Sequence, residues 1–187
     1  MTRSALLSAM FVSALLLSPA AMAAAPHDPG RGFSAYAHGD FATALKTLKP
    51  LAWDGYAPAQ YDVGQIYDNG AGVPQNATRA AAWYRRAAAQ GYAPAEFRLG
   101  MMYEEGLGVP QNYEQAYIWL DRAARHEVGA RQTAIERERD RAEAMLTPRQ
   151  RRQALAVENN WHPIPDARSL SRLAILSPAP GDAPPHG

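Results

Sequence analysis

The stretch YEEGLGVPQN at 103–112 is a close copy of YDNGAGVPQN at 67–76, which lies 36 residues upstream. The similarity continues on both sides of these loops. PAQYDVGQIYDNGAGVPQNATRAAAWYRRAAAQGYA fills 58–93, and PAEFRLGMMYEEGLGVPQNYEQAYIWLDRAARHEVG fills 94–129. So many matches at one offset indicate two tandem copies of one structural unit, and such a period is typical of a repeat protein.

The first part of each unit predicts a helix, which we call helix A. Pro58 stands at its start, where the fixed φ of proline suits the first turn. Val63, Ile66 and Tyr67 follow at helical spacing and predict a buried stripe. The glycine pair of the loop then ends the helix, because glycine readily adopts the left-handed conformation of a helix C-terminus.

The second part of each unit predicts another helix, helix B. Asn76 and Asn112 precede it, and asparagine is a favoured N-cap. Trp83 and Trp119 follow, each with an alanine three residues before it and four residues after it. Because small residues beside a bulky ring allow helices to approach closely, we expect both tryptophans in the core. No segment alternates like a strand, so the predicted fold class is all-α.

A glycine-rich loop before a helix can also bind phosphate, because backbone N–H groups point at the anion. A P-loop needs a lysine after its last glycine, and no lysine follows Gly70 or Gly106. The loop also occurs twice, and a helix rather than a strand precedes it. We therefore interpret it as a turn between helices A and B.

The two repeats are flanked by segments that resemble them less closely. Residues 24–57 share the register in their second half but have a shorter connection, and they predict an N-terminal capping hairpin. Residues 130–161 predict a C-terminal capping pair of helices with polar outer faces. The residues expected to face inward from the first of these helices are Ile135, Ala142, Met145 and Leu146.

Each repeat carries the same motifs in the same order: Leu/Val-Gly-x-x-Tyr, Gly-x-Gly-Val-Pro, Asn, Ala-x-x-Trp and Ala-Ala. Because of these motifs, residues 58–128 resemble the Sel-one-like repeat (SLR) family. That family is related to the tetratricopeptide repeat, which 24–57 resembles more. The resemblance implies a right-handed α-solenoid of antiparallel helix pairs that binds proteins or peptides and helps to assemble complexes. It implies no catalytic residues, and no cofactor is expected.

Residues 1–23 have the layout of a secretory signal peptide. Arg3 supplies the positive charge, an uncharged apolar run follows, and Ala21-Met22-Ala23 forms a small-x-small cleavage site. We therefore expect an exported bacterial protein that is periplasmic or secreted after cleavage. Residues 162–187 are rich in Pro, Ala and Ser and are expected to be disordered.

The composition excludes several classes of site. The chain has no cysteine, so it has no disulfide framework, thiolate metal site or cysteine nucleophile. Its formal net charge of +1 gives no basic excess for nucleic acid, and no stable membrane anchor is expected. The histidines do not recur between units, which argues against a metal site. Arginines alternate with acids over 137–152 and predict an ion-paired surface or a docking face for an acidic partner.

The most promising surface for a partner is the concave one, which the A helices line in tandem helical hairpins. The expected positions are Tyr61, Gln65, Asp68 and Asn69 in the first unit, and Phe97, Met101, Glu104 and Glu105 in the second. Apolar side chains with acidic ends predict an extended or helical peptide ligand that carries apolar and basic residues. The partner's identity and the oligomeric state stay open.

Two other functions also stay open. The first is a periplasmic enzyme that acts on envelope glycans through an acidic cleft, for which Asp68, Glu104 and Glu105 are the clustered acids. Such an enzyme needs two carboxyl groups about 5–10 Å apart in a deep pocket. The second is a structural subunit that acts by self-association.

Overall fold

The computed structural model describes residues 29–163, and this part of the chain is entirely helical, without strands. Its eight helices are α1 (Pro29–Ala37), α2 (Phe41–Trp53), α3 (Ala57–Asn69), α4 (Ala77–Ala88), α5 (Ala93–Glu105), α6 (Tyr113–His126), α7 (Gly129–Ala144) and α8 (Pro148–Asn159). The predicted signal peptide at 1–23 lies outside the described residues, as does the predicted tail beyond residue 163. None of the described helices has the length and apolar character needed to cross a membrane.

The helices stack in chain order. From α1 to α6, each helix packs chiefly against the helix before it and the helix after it, whereas α7 and α8 both pack chiefly against α6. Contacts confined to neighbours are the signature of a solenoid, in which every repeat is held by the adjoining ones. The odd-numbered helices are the A helices and the even-numbered ones are the B helices, so α3–α4 and α5–α6 are the two sequence repeats.

The helix starts follow from the predicted N-caps. The Asn76 side chain accepts a hydrogen bond from the Arg79 amide at 2.9 Å, and Asn112 does the same for Gln115 at 3.1 Å. Each bond satisfies one of the N–H groups that a first helical turn leaves unpaired.

The repeat loop is a turn, as predicted, and it also joins neighbouring repeats. Gly70 and Gly106 end the A helices with φ of 65° and 73°. Gly108 has φ of 68°, and a Cβ added to it would lie 2.2 Å from the carbonyl oxygen of Ala77 at the start of α4. The second glycine of the second repeat is therefore required both by its backbone conformation and by its contact with the first repeat.

The core is built from small residues around a few large rings. Trp83 and Tyr84 of α4 are almost completely buried, and the Trp83 ring meets Trp53 of α2 edge to face at 4.8 Å. The Arg86 guanidinium lies 4.3 Å and 4.7 Å from the centres of the Trp53 and Trp83 rings. Trp119 is partly buried and lies under Arg122 at 4.6 Å.

The C-terminal pair departs from the predicted inward face at one residue. Ile135 and Ala142 are buried and Leu146 is partly buried, but the prediction for Met145 was wrong because its surface is 57% exposed. Met145 follows α7 directly, and none of the helices described within 29–163 covers it. Instead, α8 is anchored through Glu158, whose carboxylate accepts a buried hydrogen bond from Arg122 Nε at 2.8 Å.

Candidate functional site

A cavity of about 230 Å³ opens among three consecutive A helices. It lies between α3, α5 and α7, at the N-terminal ends of α5 and α7. Its lining residues are Tyr61, Ala93, Pro94, Phe97, Glu127, Arg131, Ala134 and Ile135. Two of the predicted partner-binding residues, Tyr61 and Phe97, therefore lie in one cavity, although they belong to different repeats.

Tyr61 is fixed in position by polar and aromatic neighbours. The Tyr36 hydroxyl donates to Gln65 Oε1 at 2.9 Å, and Gln65 Nε2 donates to the Tyr61 hydroxyl at 3.1 Å. The Tyr61 ring lies 5.6 Å from Tyr84 and 5.5 Å from Tyr92, measured between ring centres. Burial raises the pKa of Tyr36 and of Tyr61, so both hydroxyls keep their protons at neutral pH.

The predicted acids Asp68 and Glu104 are both held by arginines of the next A helix. Asp68 pairs with Arg98 of α5 and also accepts a hydrogen bond from Tyr84 at 3.2 Å. Glu104 accepts two hydrogen bonds from Arg141 of α7, at 2.6 Å and 3.1 Å. These ion pairs tie α3 to α5 and α5 to α7, and they neutralise charges that an acidic cleft would need.

The remaining predicted positions differ in surroundings. Asn69 and Glu105 are the last residues of their helices and are exposed to solvent. Met101 is partly buried and packs against the core cluster of α6, α7 and α8. The predicted set thus contains cavity-lining, ion-paired, packed and exposed side chains.

The sequence reasoning missed Asp62, which follows Tyr61 directly in α3. Burial raises the pKa of Asp62 to about 6. The residues described at 29–163 offer it no ion pair, unlike Asp68 and Glu104. The sequence does contain a sign of this acid. Asp62 lies about one turn before Gln65 on the same helix face, and the equivalent position of the second repeat is occupied by Arg98.

Glu96 of α5 is a buried acid that does not line the cavity. Its side chain is fully buried and accepts a hydrogen bond from Nδ1 of His126, the last residue of α6, at 3.0 Å. The other carboxylate oxygen, Oε1, has no hydrogen-bond partner. The equivalent residues of the first repeat are Gln60 and Gln90, which are also hydrogen-bonded, at 2.8 Å.

These arrangements limit the chemistry of the site. Within 29–163, no group of three or more His, Asp or Glu side chains could hold a metal ion. Three interleaved arginines of the C-terminal pair form ion pairs with the interleaved acids, as predicted: Arg139 with Asp140, Arg141 with Glu138, and Arg151 with Glu143. The cavity, by contrast, offers apolar surface next to a few polar groups, which suits a binding site.

Comparison with known proteins confirms the resemblance seen in the sequence. The model of the Sel1 repeat family matches residues 57–92 and 93–127. A Sel1 repeat protein from Oxalobacter formigenes is 35% identical over 53% of this chain and 41% of that chain, with a TM-score of 0.51. The c5321 protein of uropathogenic Escherichia coli, described as a protective antigen with an SLR fold, is 27% identical over 84% of this chain and 35% of that chain, with a TM-score of 0.61.

The chain thus spans less than half the length of each of these solved proteins. A search of curated proteins gave no match. The all-helical fold of residues 29–163 is that of a Sel1-repeat solenoid.

Proposed function

Because residues 57–127 of this chain consist of two Sel1 repeats, we propose that it is a non-catalytic adaptor of the cell envelope that binds a partner protein or peptide on its concave face. Sel1-repeat proteins generally mediate protein–protein interaction.

The cavity between α3, α5 and α7 is the observation that carries the proposal. Its volume of about 230 Å³ is below the roughly 300–1,000 Å³ typical of small-molecule pockets, and it opens on a surface shared by three helices. A cavity of this size suits one large apolar side chain presented by a longer ligand. Tyr61, Phe97 and Ile135 supply the apolar walls.

The polar groups around the cavity suit a peptide main chain. The Tyr61 hydroxyl accepts a hydrogen bond from Gln65, which leaves its O–H hydrogen to donate to a ligand carbonyl. Arg131 and Glu127 lie at the cavity at 3.8 Å from each other, and their side chains can contact donors and acceptors of a ligand. The ligand would therefore be fixed by apolar contact and oriented by hydrogen bonds.

The location rests on the signal-peptide layout of residues 1–23, which supports export. Fractionation of cells that produce the full chain and a chain lacking 1–23 tests it. We expect the full chain in the periplasmic or secreted fraction and the shortened chain in the cytoplasm. Finding both chains in the cytoplasm would contradict the location but not the binding surface.

Filling the cavity tests the binding surface directly. Ala134 of α7 lines the cavity, so Ala134→Trp should block it, whereas Ala130→Trp places the same side chain at an exposed position of α7 that does not line the cavity. A random peptide library displayed on phage is selected on the wild-type protein. The selected peptides should bind wild type and the Ala130 variant alike and lose at least tenfold in affinity for the Ala134 variant. Equal binding to all three would refute the proposed surface.

A further inference from the structure

The last residue of the described chain, Pro163, lies at the rim of the cavity. A Cβ built on Gly91 would lie 3.8 Å from the Pro163 ring and 3.7 Å from His126. Gly91 precedes the cavity residue Ala93 by two positions, and two residues of chain span at most about 7 Å. His126 directly precedes Glu127, which also lines the cavity. Both neighbours of Pro163 therefore adjoin the cavity wall.

This position of Pro163 is fixed by the packing of α8 on α6. Arg122 Nε donates to Glu158 at 2.8 Å, and both side chains are buried. The Arg122 guanidinium also lies over the ring of Trp161, 4.2 Å from its centre. Because these contacts hold the chain up to two residues before Pro163, the chain leaves α8 at a defined place beside the cavity.

The sequence that follows contains a segment with the chemistry expected of a ligand for this cavity. Residues 168–176, RSLSRLAIL, which we call the tail segment, contain five apolar residues, two arginines and no acid. The apolar walls of the cavity suit one large apolar side chain, and a leucine is such a side chain. The lining also carries one charge of each sign, Glu127 and Arg131, so the apolar contact rather than the arginines would supply most of the affinity.

The connection from α8 is long enough to bring the tail segment back to the cavity. Leu170 stands seven positions after Pro163, and seven residues can span up to about 25 Å. So short a tether gives the segment an effective concentration on the order of 1 mM beside the cavity. A segment that binds with a Kd of about 0.1 mM as a separate peptide would then fill the cavity in about nine tenths of the molecules.

We propose that the tail segment is an intramolecular ligand of the cavity, that one of its leucines packs against Tyr61, Phe97 and Ile135, and that a partner binds by displacing it. The inference rests on the proposed function, because the tail segment and the partner share one cavity. The chain thereby carries its own competitor, and the apparent affinity for the partner falls in proportion to the fraction of molecules whose cavity is open.

A variant of the full chain, the tail variant, tests this inference. It has serine in place of four apolar residues of the tail segment: Leu170, Leu173, Ile175 and Leu176. The probe is a labelled synthetic peptide with the sequence of 168–176, titrated by fluorescence anisotropy. The tail variant should bind the peptide, and wild type should bind it about tenfold more weakly, because its own segment fills the cavity.

The matched control carries four serines beyond the tail segment, at Pro178, Pro180, Pro184 and Pro185. This control should bind the peptide as weakly as wild type. Equal binding by wild type and the tail variant would overturn the inference, and so would a tail variant that does not bind the peptide. Wild-type dimers in sedimentation that the tail variant lacks would also overturn it, because the segment would then fill the cavity of a second copy.

Two tryptophan substitutions made in the tail variant locate the binding. Ala134→Trp should abolish binding of the peptide, whereas Ala130→Trp should leave it unchanged, and peptide binding that survives Ala134→Trp would overturn the inference. Thermal unfolding checks that both variants are folded. The comparison of wild type with the tail variant does not depend on either tryptophan.

Peptides selected from a random library on the tail variant separate this inference from the proposed function. If selected peptides bind and are lost with Ala134→Trp, but the 168–176 peptide does not bind, the intramolecular ligand is refuted and the proposed surface stands. If neither the selected peptides nor the 168–176 peptide binds at the cavity, both proposals are refuted. Selected peptides that bind wild type about tenfold more weakly than the tail variant would support both.

Discussion

Replacing Glu96 by glutamine should stabilise the protein at neutral pH. In the first repeat, Gln60 occupies the equivalent position, donates from Nε2 to the carbonyl oxygen of Ala52 at 2.9 Å and accepts from Gln90 at 2.8 Å. Glu96 accepts a hydrogen bond from His126, as Gln60 does from Gln90, but its Oε1 has no hydrogen-bond partner. The equivalent acceptor in the second repeat is the carbonyl of Ala88, to which an ionised carboxylate cannot donate.

The size of the effect follows from two contributions. The new donor gives one hydrogen bond, worth about 1 kcal/mol, and removes a buried acceptor without a partner, which costs about 1–3 kcal/mol. Loss of the charged hydrogen bond from His126 offsets part of this gain. We expect a net increase of about 2 kcal/mol in the free energy of unfolding at pH 7.5, or a rise of about 6 °C in Tm.

The pH dependence separates this explanation from a simple packing change. Burial raises the pKa of Glu96, although the hydrogen bond from His126 opposes the rise. The folded state therefore holds the proton to higher pH than the unfolded state, and wild-type stability falls as pH rises above the ordinary glutamate pKa of about 4.3. His126, Arg122 and Glu158 face the site in both proteins, so the difference between them should be small at pH 4 and largest above the raised pKa.

Urea unfolding at pH 4 and pH 7.5 measures both quantities. Gln60→Glu in the first repeat is the matched reverse variant, and it should lose about 2 kcal/mol at pH 7.5 and less at pH 4. A Glu96 variant that is destabilised by more than 1 kcal/mol at pH 7.5 would refute the reasoning. It would show that the ionised carboxylate is held favourably by His126 and Arg122.

Three further changes have defined outcomes. Asp62→Asn should raise stability by about 1 kcal/mol above pH 6 and leave it unchanged below pH 4, because the raised pKa of Asp62 penalises only its ionised form; urea titrations at both pH values check this. Gly108→Ala should cost at least about 2 kcal/mol, since its Cβ would meet Ala77, whereas Gly39→Ala, with similar φ and open space, should cost about 1 kcal/mol. Trp83→Ala should cost about 3–5 kcal/mol by thermal unfolding, and an unchanged Tm would contradict its place in the core.

The period of the sequence was enough to predict the helices and their caps. Asn76 and Asn112 cap helices because capping depends on residues three positions apart, which a sequence shows directly. Gly70 and Gly106 end helices for a reason that is equally local. Local chemistry repeated twice therefore predicted the fold class well.

The pairing of acids with arginines could not be predicted in the same way. Asp68 and Arg98 stand 30 residues apart, and Glu104 and Arg141 stand 37 apart. Their meeting depends on how one A helix is rotated against the next, which the spacing of apolar residues fixes only coarsely. The prediction therefore placed Asp68 and Glu104 on the concave side without their partners, and it passed over the unpaired Asp62.

The second glycine of each loop has a consequence for how such an array can change length. Gly72 lies against Phe41 of α2, and Gly108 lies against Ala77 of α4, so each loop is seated on the start of the preceding B helix. Duplicating a whole 36-residue unit recreates this contact between loop and helix at every new junction. Adding a single residue to a loop would instead move the glycine away from the start of the preceding B helix. We expect a chain with 94–129 duplicated to unfold cooperatively at or above the wild-type temperature. Because of this contact between repeats, the protein can be lengthened by whole repeat units more readily than by single residues.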